Sequence, residues 1–265
     1  MKLKVLFLIS FVPILFACKN NTEKKQEVQV DTEISLNNTE AQGPEILPIS
    51  HGSMVLDWDD TVVYADPVGG KEGFEGKKAP NLILITHQHG DHFHPETLKA
   101  VKTDNTKIIL PQSVADLLPE DFSKENLIVM ANDETKNIMG MSITAIPMYN
   151  LREEALNFHP KGRGNGYVLE KNSYRVYISG DTEDIPEMRN LQNIDLAFVC
   201  MNLPYTMTVD KAASAVSDFK PKTVVPYHFR GSEGFSDVDS FEKQVREKTP
   251  EVEVLRLEWY PDRSE

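Results

Sequence analysis

The chain has 265 residues and a mass of 30.0 kDa, 40% hydrophobic and 26% charged. It can bury one substantial core or two modest ones, and it is neither collagen-like, wholly disordered nor a multi-span membrane protein. Its 28 basic residues against 41 acidic ones give a net charge of −13 with no Lys/Arg-rich cluster to offset it, so no nucleic-acid partner is expected.

Two cysteines, Cys18 and Cys200, build neither a disulfide framework nor a Cys-rich zinc module, so any metal site must use His, Asp and Glu. At the N-terminus, Lys2 and Lys4 precede an apolar run from Val5 to Ala17 broken by Ser10 and Pro13. That is the pattern of a secretory signal, and the run is short for a bilayer span. Leu15-Phe16-Ala17-Cys18 resembles the lipobox of bacterial lipoproteins, with bulky Phe16 as a departure; an ordinary signal peptide with an incidental cysteine is the alternative. The expectation is a removed signal over 1–17, a lipidated Cys18, and an exported, membrane-anchored protein facing the periplasm or cell exterior. Residues 18–45, rich in Asn, Thr, Glu and Lys, read as a disordered tether, and 46–265 as the folded domain.

From residue 46 short β-rich runs alternate with Gly, Pro and Asp. Residues 55–58 and 61–65 flank Asp59-Asp60 and predict a hairpin. The apolar run within 81–86 predicts a central strand covered on both faces. Further strands are expected at 107–110, 127–130, 142–147, 166–170, 175–179, 196–200, 223–226 and 252–256. Helices are expected at 95–101, 113–118, 209–219 behind a Thr208 cap, and 240–248. Strands and helices mix throughout, as in an α/β or α+β domain. Three strands run into loops bearing ligand-type residues, at His87, Asp181 and His228, and strand ends are where α/β folds place their sites.

Directly after the central strand stands Thr86-His87-Gln88-His89-Gly90-Asp91-His92. So many imidazoles and a carboxylate are costly to pack together without a cation. Alternate residues of an extended stretch point the same way, so His87 and His89 can grip one metal. After the turn that Gly90 permits, Asp91 and His92 can face a second. A solvated polar loop is the alternative, and the position behind a buried strand argues against it.

His87-Gln88-His89-Gly90-Asp91-His92 resembles the H-x-H-x-D-H signature of the metallo-β-lactamase superfamily. The downstream residues of that family's pattern are matched by His159, Asp181 and His228. The resemblance implies a four-layer αββα sandwich of α/β class and two metal positions: His87, His89 and His159 at the first, Asp91, His92 and His228 at the second, Asp181 bridging. Taken singly, His159 also reads as a loop histidine, Asp181 as a helix cap and His228 as a satisfied histidine below a strand end. His94 is expected to flank the helix at Pro95. His51 resembles a histidine of the lactonase-like branch and is expected to orient a carboxylate, with a surface-loop role as the alternative.

Ligands of this type suit Zn²⁺, with Mn²⁺ or Fe²⁺ as alternatives. A pair of such cations activates water, so the expected reaction is hydrolysis, with Asp91 orienting the water or passing its proton to the leaving group. A short acidic chain with a histidine at position 89, an aspartate at 181 and no flavin domain resembles the L-ascorbate-6-phosphate lactonase and N-acylphosphatidylethanolamine phospholipase D branch. That implies a small ester, lactone or phosphodiester substrate. Tyr205, in a loop like one near the site in that branch, and Arg230, two residues after His228, are candidate substrate contacts. A turn at Tyr205 and an ion pair between Arg230 and Glu233 are the alternatives. An inactive metal- or ligand-binding lipoprotein is the competing function.

Overall fold

The computed structural model describes residues 42–261. The signal, Cys18 and most of the expected tether lie outside them. Residues 42–45, expected to belong to a tether, are already joined to the folded domain: the Trp58 indole donates to the Gln42 carbonyl at 3.0 Å and Glu45 opens a strand.

Six strands form a first sheet in sequence order: β1 (Glu45–Ser50), β2 (Ser53–Trp58), β3 (Thr61–Ala65), β4 (Leu82–Leu84), β5 (Lys107–Leu110) and β6 (Leu127–Val129). The first three run antiparallel, and β3 to β6 run parallel. The second sheet contains β7 (Thr135–Ile138), β8 (Met141–Met148), β9 (Gly164–Lys171), β10 (Tyr174–Ile178), β11 (Leu196–Cys200) and β12 (Thr223–Tyr227). After the small hairpin of β13 (Arg230–Gly231) and β14 (Gly234–Phe235), β15 (Glu253–Val254) pairs beside β12. The expected hairpin and central strand are present, with β4 between β3 and β5. Strand β1 escaped the sequence pattern because it is a half-buried edge strand bulged after Pro48, where proline is tolerated.

The period-2 alternation of the strands sorts the core into layers. In the first sheet Met54, Leu56, Val63, Leu84 and Ile109 point into a core shared with the second sheet, while Val55, Tyr64, Ile83 and Ile108 point the other way. That outer face is covered by Leu98 of α1 (Pro95–Val101) and Val114 of α2 (Gln112–Ala115). In the second sheet, Tyr167 reaches across to donate to the Ile85 carbonyl at 2.8 Å, whereas Tyr177 packs outward on Phe219. Phe219 ends α4 (Val209–Phe219), which lies with α5 (Val238–Lys248) and short α3 (Pro186–Arg189) on this side. Helix, sheet, sheet and helix stack in that order. The α4 start is capped as expected, Thr208 accepting from Lys211 N–H, and α5 begins earlier than expected because Asp237 caps it. Among the described residues no helix is long and apolar enough to cross a membrane.

Leu56 is fully buried between the sheets. Leu56→Ala is expected to cost about 2–5 kcal/mol, read as a lower urea midpoint at unchanged slope.

Candidate metal centre

The β4–β5 ladder continues to Ile85, whose N–H reaches the Ile109 carbonyl at 2.9 Å. The chain then turns on itself, His92 and Phe93 both donating to the His89 carbonyl, at 2.9 and 2.8 Å. Gly90 is not what permits this turn. It does not have a positive φ, and a Cβ there would meet nothing within 4 Å. Gly180 is required: its φ is +61°, and a Cβ would lie 2.6 Å from the Met148 sulfur. With glycine there, the chain leaving β10 delivers Asp181 into the space between the sheets' ends.

Ligand-type atoms gather on both sides of Asp181, in three groups: His87, His89 and His159; His51, Asp91 and His228; and His87, His92 and Asp181. On one side His87 Nε2 lies 3.0 Å from His89 Nδ1, and with His159 these residues place ligand atoms within 4.8 Å of one another. On the other, His228 Nε2 lies 2.8 Å from His92 Nε2 and 3.4 Å from Asp91 Oδ2. Asp181 stands between them, with Oδ2 3.5 Å from His159 Nε2 and Oδ1 3.3 Å from His228 Nε2 and 3.4 Å from His92 Nε2. His159 Nε2 and Asp181 Oδ1 are buried and have no hydrogen-bond partner. Buried polar atoms are nearly always satisfied, and converging imidazole nitrogens with carboxylate oxygens are donors for a divalent cation. The residues present therefore fit metal.

A family model described as "Beta-lactamase superfamily domain" matches residues 45–228. A Thermococcus onnurineus protein named UPF0173 metal-dependent hydrolase is 32% identical over 181 residues, 66% of this chain and 79% of that protein. The chain belongs to the metallo-β-lactamase superfamily, in its UPF0173 metal-dependent hydrolase family. A metal-dependent hydrolase of Parabacteroides distasonis shares 36% identity with a TM-score of 0.70, covering 80% of this chain and 91% of that one. The fold extends to a metallo hydrolase of Ignicoccus hospitalis, at TM-score 0.68 and 21% identity over 82% of this chain and 96% of that one.

In this UPF0173 family member the cluster is held by groups that the sequence did not single out. Asp66, just beyond β3, is fully buried. Its carboxylate accepts from Thr86 N–H at 2.7 Å and the Thr86 hydroxyl at 2.6 Å and lies 2.7 Å from His92 Nδ1. Its only signal was an Asp-Pro step at a strand end, the same context as His87, Asp181 and His228. His159 Nδ1 faces the Tyr205 carbonyl at 3.2 Å, and Asn150 Nδ2 donates to that carbonyl at 2.7 Å. The loop is clamped in turn by Arg152, which donates to Glu183 at 2.6 Å and to the Pro204 and Thr206 carbonyls at 2.9 and 2.8 Å.

His51 places Nε2 3.4 Å from Asp91 Oδ2, and its Nδ1 bonds the Tyr260 hydroxyl at 2.8 Å. It faces a carboxylate rather than a surface loop. His94 caps α1, its ring accepting from Thr97 N–H. The Tyr205 ring packs edge-on against Phe158, and both line a cavity of about 350 Å³ with His89, Asp91, His159, Asp181 and Asn202. Arg230 is exposed and lies over the Tyr260 ring at 5.2 Å; it makes no ion pair with Glu233. Cys200 is buried, which pushes its thiol up to about 12 and leaves it inert.

Charge is divided unevenly across the protein's own groups. Burial holds His87 well below the ordinary imidazole value, lowers His89, and takes His159 down to about 4. Burial opposes charge on His92 too, but Asp181, Asp66 and Asp91 outweigh it and raise this ring to about 9. Asp91 and Asp181 are held as anions below the usual carboxylate range, the facing imidazoles outweighing burial.

Asp66→Asn preserves shape but turns an amide N–H toward groups that the carboxylate now accepts from, which favours the His92 tautomer with its proton on the cluster-facing nitrogen. Metal affinity is expected to fall about 10–100-fold, measured by competition with a chromophoric chelator.

Proposed function

We propose that the chain is a binuclear metallohydrolase that acts on a small ester, lactone or phosphodiester, with Zn²⁺ as the first expectation and Mn²⁺ or Fe²⁺ behind it. The observation that carries the reading is the split of Asp181, one oxygen toward His159 and the other toward His92 and His228. A carboxylate turned both ways is suited to bridging two ions, which is what favours a pair over a single ion here. In this reading His87, His89 and His159 hold one ion, Asp91, His92 and His228 the other, and Asp181 both. Divalent ions there supply an acidified water and positive charge against a developing oxyanion.

The remaining chemistry falls to the protein. Asp91 is the most open of these groups, its side chain 45% exposed at the cavity, and its Oδ2 is engaged by His51 and His228. Its Oδ1 takes a proton from the attacking water and returns it to the leaving-group oxygen. His51, fixed by Tyr260, keeps that carboxylate aimed. Phe158 and Tyr205 give the substrate an apolar wall. The similarity to the lactonase and phosphodiesterase branch supports the substrate range, and the lipobox-like Leu15-Phe16-Ala17-Cys18 supports an exported, lipid-anchored enzyme.

Elemental analysis is expected to find about two equivalents of metal per chain, reduced in His159→Ala and in Asp181→Ala. One equivalent, unaffected by Asp181→Ala, would sink the bridging role. Asp91→Asn is expected to lower kcat by about 10²–10⁴-fold on whichever ester or phosphodiester is turned over. Full activity in a metal-replete Asp91→Asn protein would falsify the proton role. Metal binding with no turnover across such a panel would favour the inactive binding lipoprotein.

A further inference from the structure

The described residues include seven arginines, and five of them face carboxylates: Arg152 with Glu183, Arg175 with Glu170, Arg189 with Asp184, Arg246 with Glu242 and Arg256 with Asp239. The two that do not, Arg163 and Arg230, both lie beside the ligand cluster. Arg230 rests on the Tyr260 ring. Among the described residues Arg163 has neither an ion pair nor a side-chain hydrogen bond, in a chain with 41 acidic residues against 28 basic ones. A surface this acidic offers a partner to most guanidinium groups; among the described residues this one has none.

Its position is fixed from below. The Arg163 N–H donates to the Pro160 carbonyl at 3.3 Å, and its carbonyl accepts from the Ser113 hydroxyl. The next two residues open β9, with the Asn132 amide on the Gly164 carbonyl at 2.9 Å and Asn165 N–H on the Thr86 carbonyl at 2.9 Å. From this base Arg163, exposed to solvent, borders a shallow recess of about 10 Å³ that it shares with His87, His89, Phe158 and His159. A guanidinium beside histidines that would hold a divalent ion is electrostatically unfavourable, because like charges repel there. An anion between the two reverses the sign of that interaction, and the planar fork of arginine matches the paired oxygens of a carboxylate or phosphate.

We propose that Arg163 is the specificity-determining residue of this site, and that the substrate carries an oxyanion group that lies between Arg163 and the His89–His159 side of the cluster. The inference rests on the hydrolytic reading above for the word substrate, but not for the anion site. It places the charged end of the molecule at the open rim beside Arg163, above the shallow recess, and leaves the cavity beyond Phe158 for the rest.

Two measurements test it on the whole protein reconstituted with zinc, with zinc content checked in each variant. The first compares kcat/KM for 4-carboxyphenyl acetate with that for neutral phenyl acetate. The ratio is expected to fall at least tenfold in Arg163→Gln and to be partly restored in Arg163→Lys. The second titrates inorganic phosphate and benzoate by calorimetry, and Arg163→Gln is expected to weaken one or both at least tenfold. Weakening of phosphate alone or benzoate alone identifies which oxyanion the recess takes. Changes below tenfold in the ratio and in both dissociation constants overturn the proposal. Weakened anion binding in a protein that turns over neither ester keeps Arg163 as the anion site and counts against the hydrolytic reading alone.

Discussion

The buried carboxylate of Asp66 ties the ligand-bearing loop to the first sheet. It accepts from the backbone and hydroxyl of Thr86 and faces the ring of His92, so one group fixes where the loop leaves β4 and which way a histidine six residues later points. Charge is what makes the arrangement demanding. A buried carboxylate survives only when its oxygens are satisfied, and Thr86 and His92 satisfy them. In return they are held to a sheet whose parallel strands are packed on both faces. The precision of the cluster is therefore inherited from the core rather than generated by the loop.

The two sheets divide the work. The first supplies His51 from the β1–β2 turn, Asp66 after β3 and His87 to His92 after β4. The second supplies His159 ahead of β9, Asp181 after β10, Asn202 after β11 and His228 after β12. Neither sheet holds a complete set. The distances across Asp181 depend on the sheets meeting in one register, which the hydrogen bond from Tyr167 to the Ile85 carbonyl fixes just below the loop. Residues such as Leu56 and Ile109 between the sheets thus bear on the site without touching it.

Much of this was legible in the chain. A motif dense in histidine behind an apolar strand, and the strand ends before Asp181 and His228, are local patterns that survive into the fold. The helix at Val209–Phe219 was readable to the residue because Thr208 caps it and its apolar spacing is regular. What escaped was non-local or weakly patterned. Asp66, Asn150 and Tyr260 act on residues 20 or more positions away or through backbone carbonyls, so beyond the strand-end position of Asp66 nothing beside them in sequence marks their role. Strand β7 is polar and β1 carries a proline, so neither shows clean alternation. Gly90 misled in the opposite direction: a glycine inside a motif suggested a backbone constraint, and the backbone there is ordinary.

Tyr260 reaches back from near the end of the described chain to His51, which sits in the first hairpin. The family match ends at residue 228, yet this contact lies beyond it. Between the two, Trp259 packs on Phe198 and Tyr227 beneath the strand ends. The opening and closing stretches of the domain thus meet over the same carboxylate. A polypeptide still emerging from the ribosome can carry every ligand histidine and still lack the support for Asp91. The site becomes whole only when the segment around Tyr260 folds back onto His51, so its completion waits on a contact spanning 209 positions of sequence.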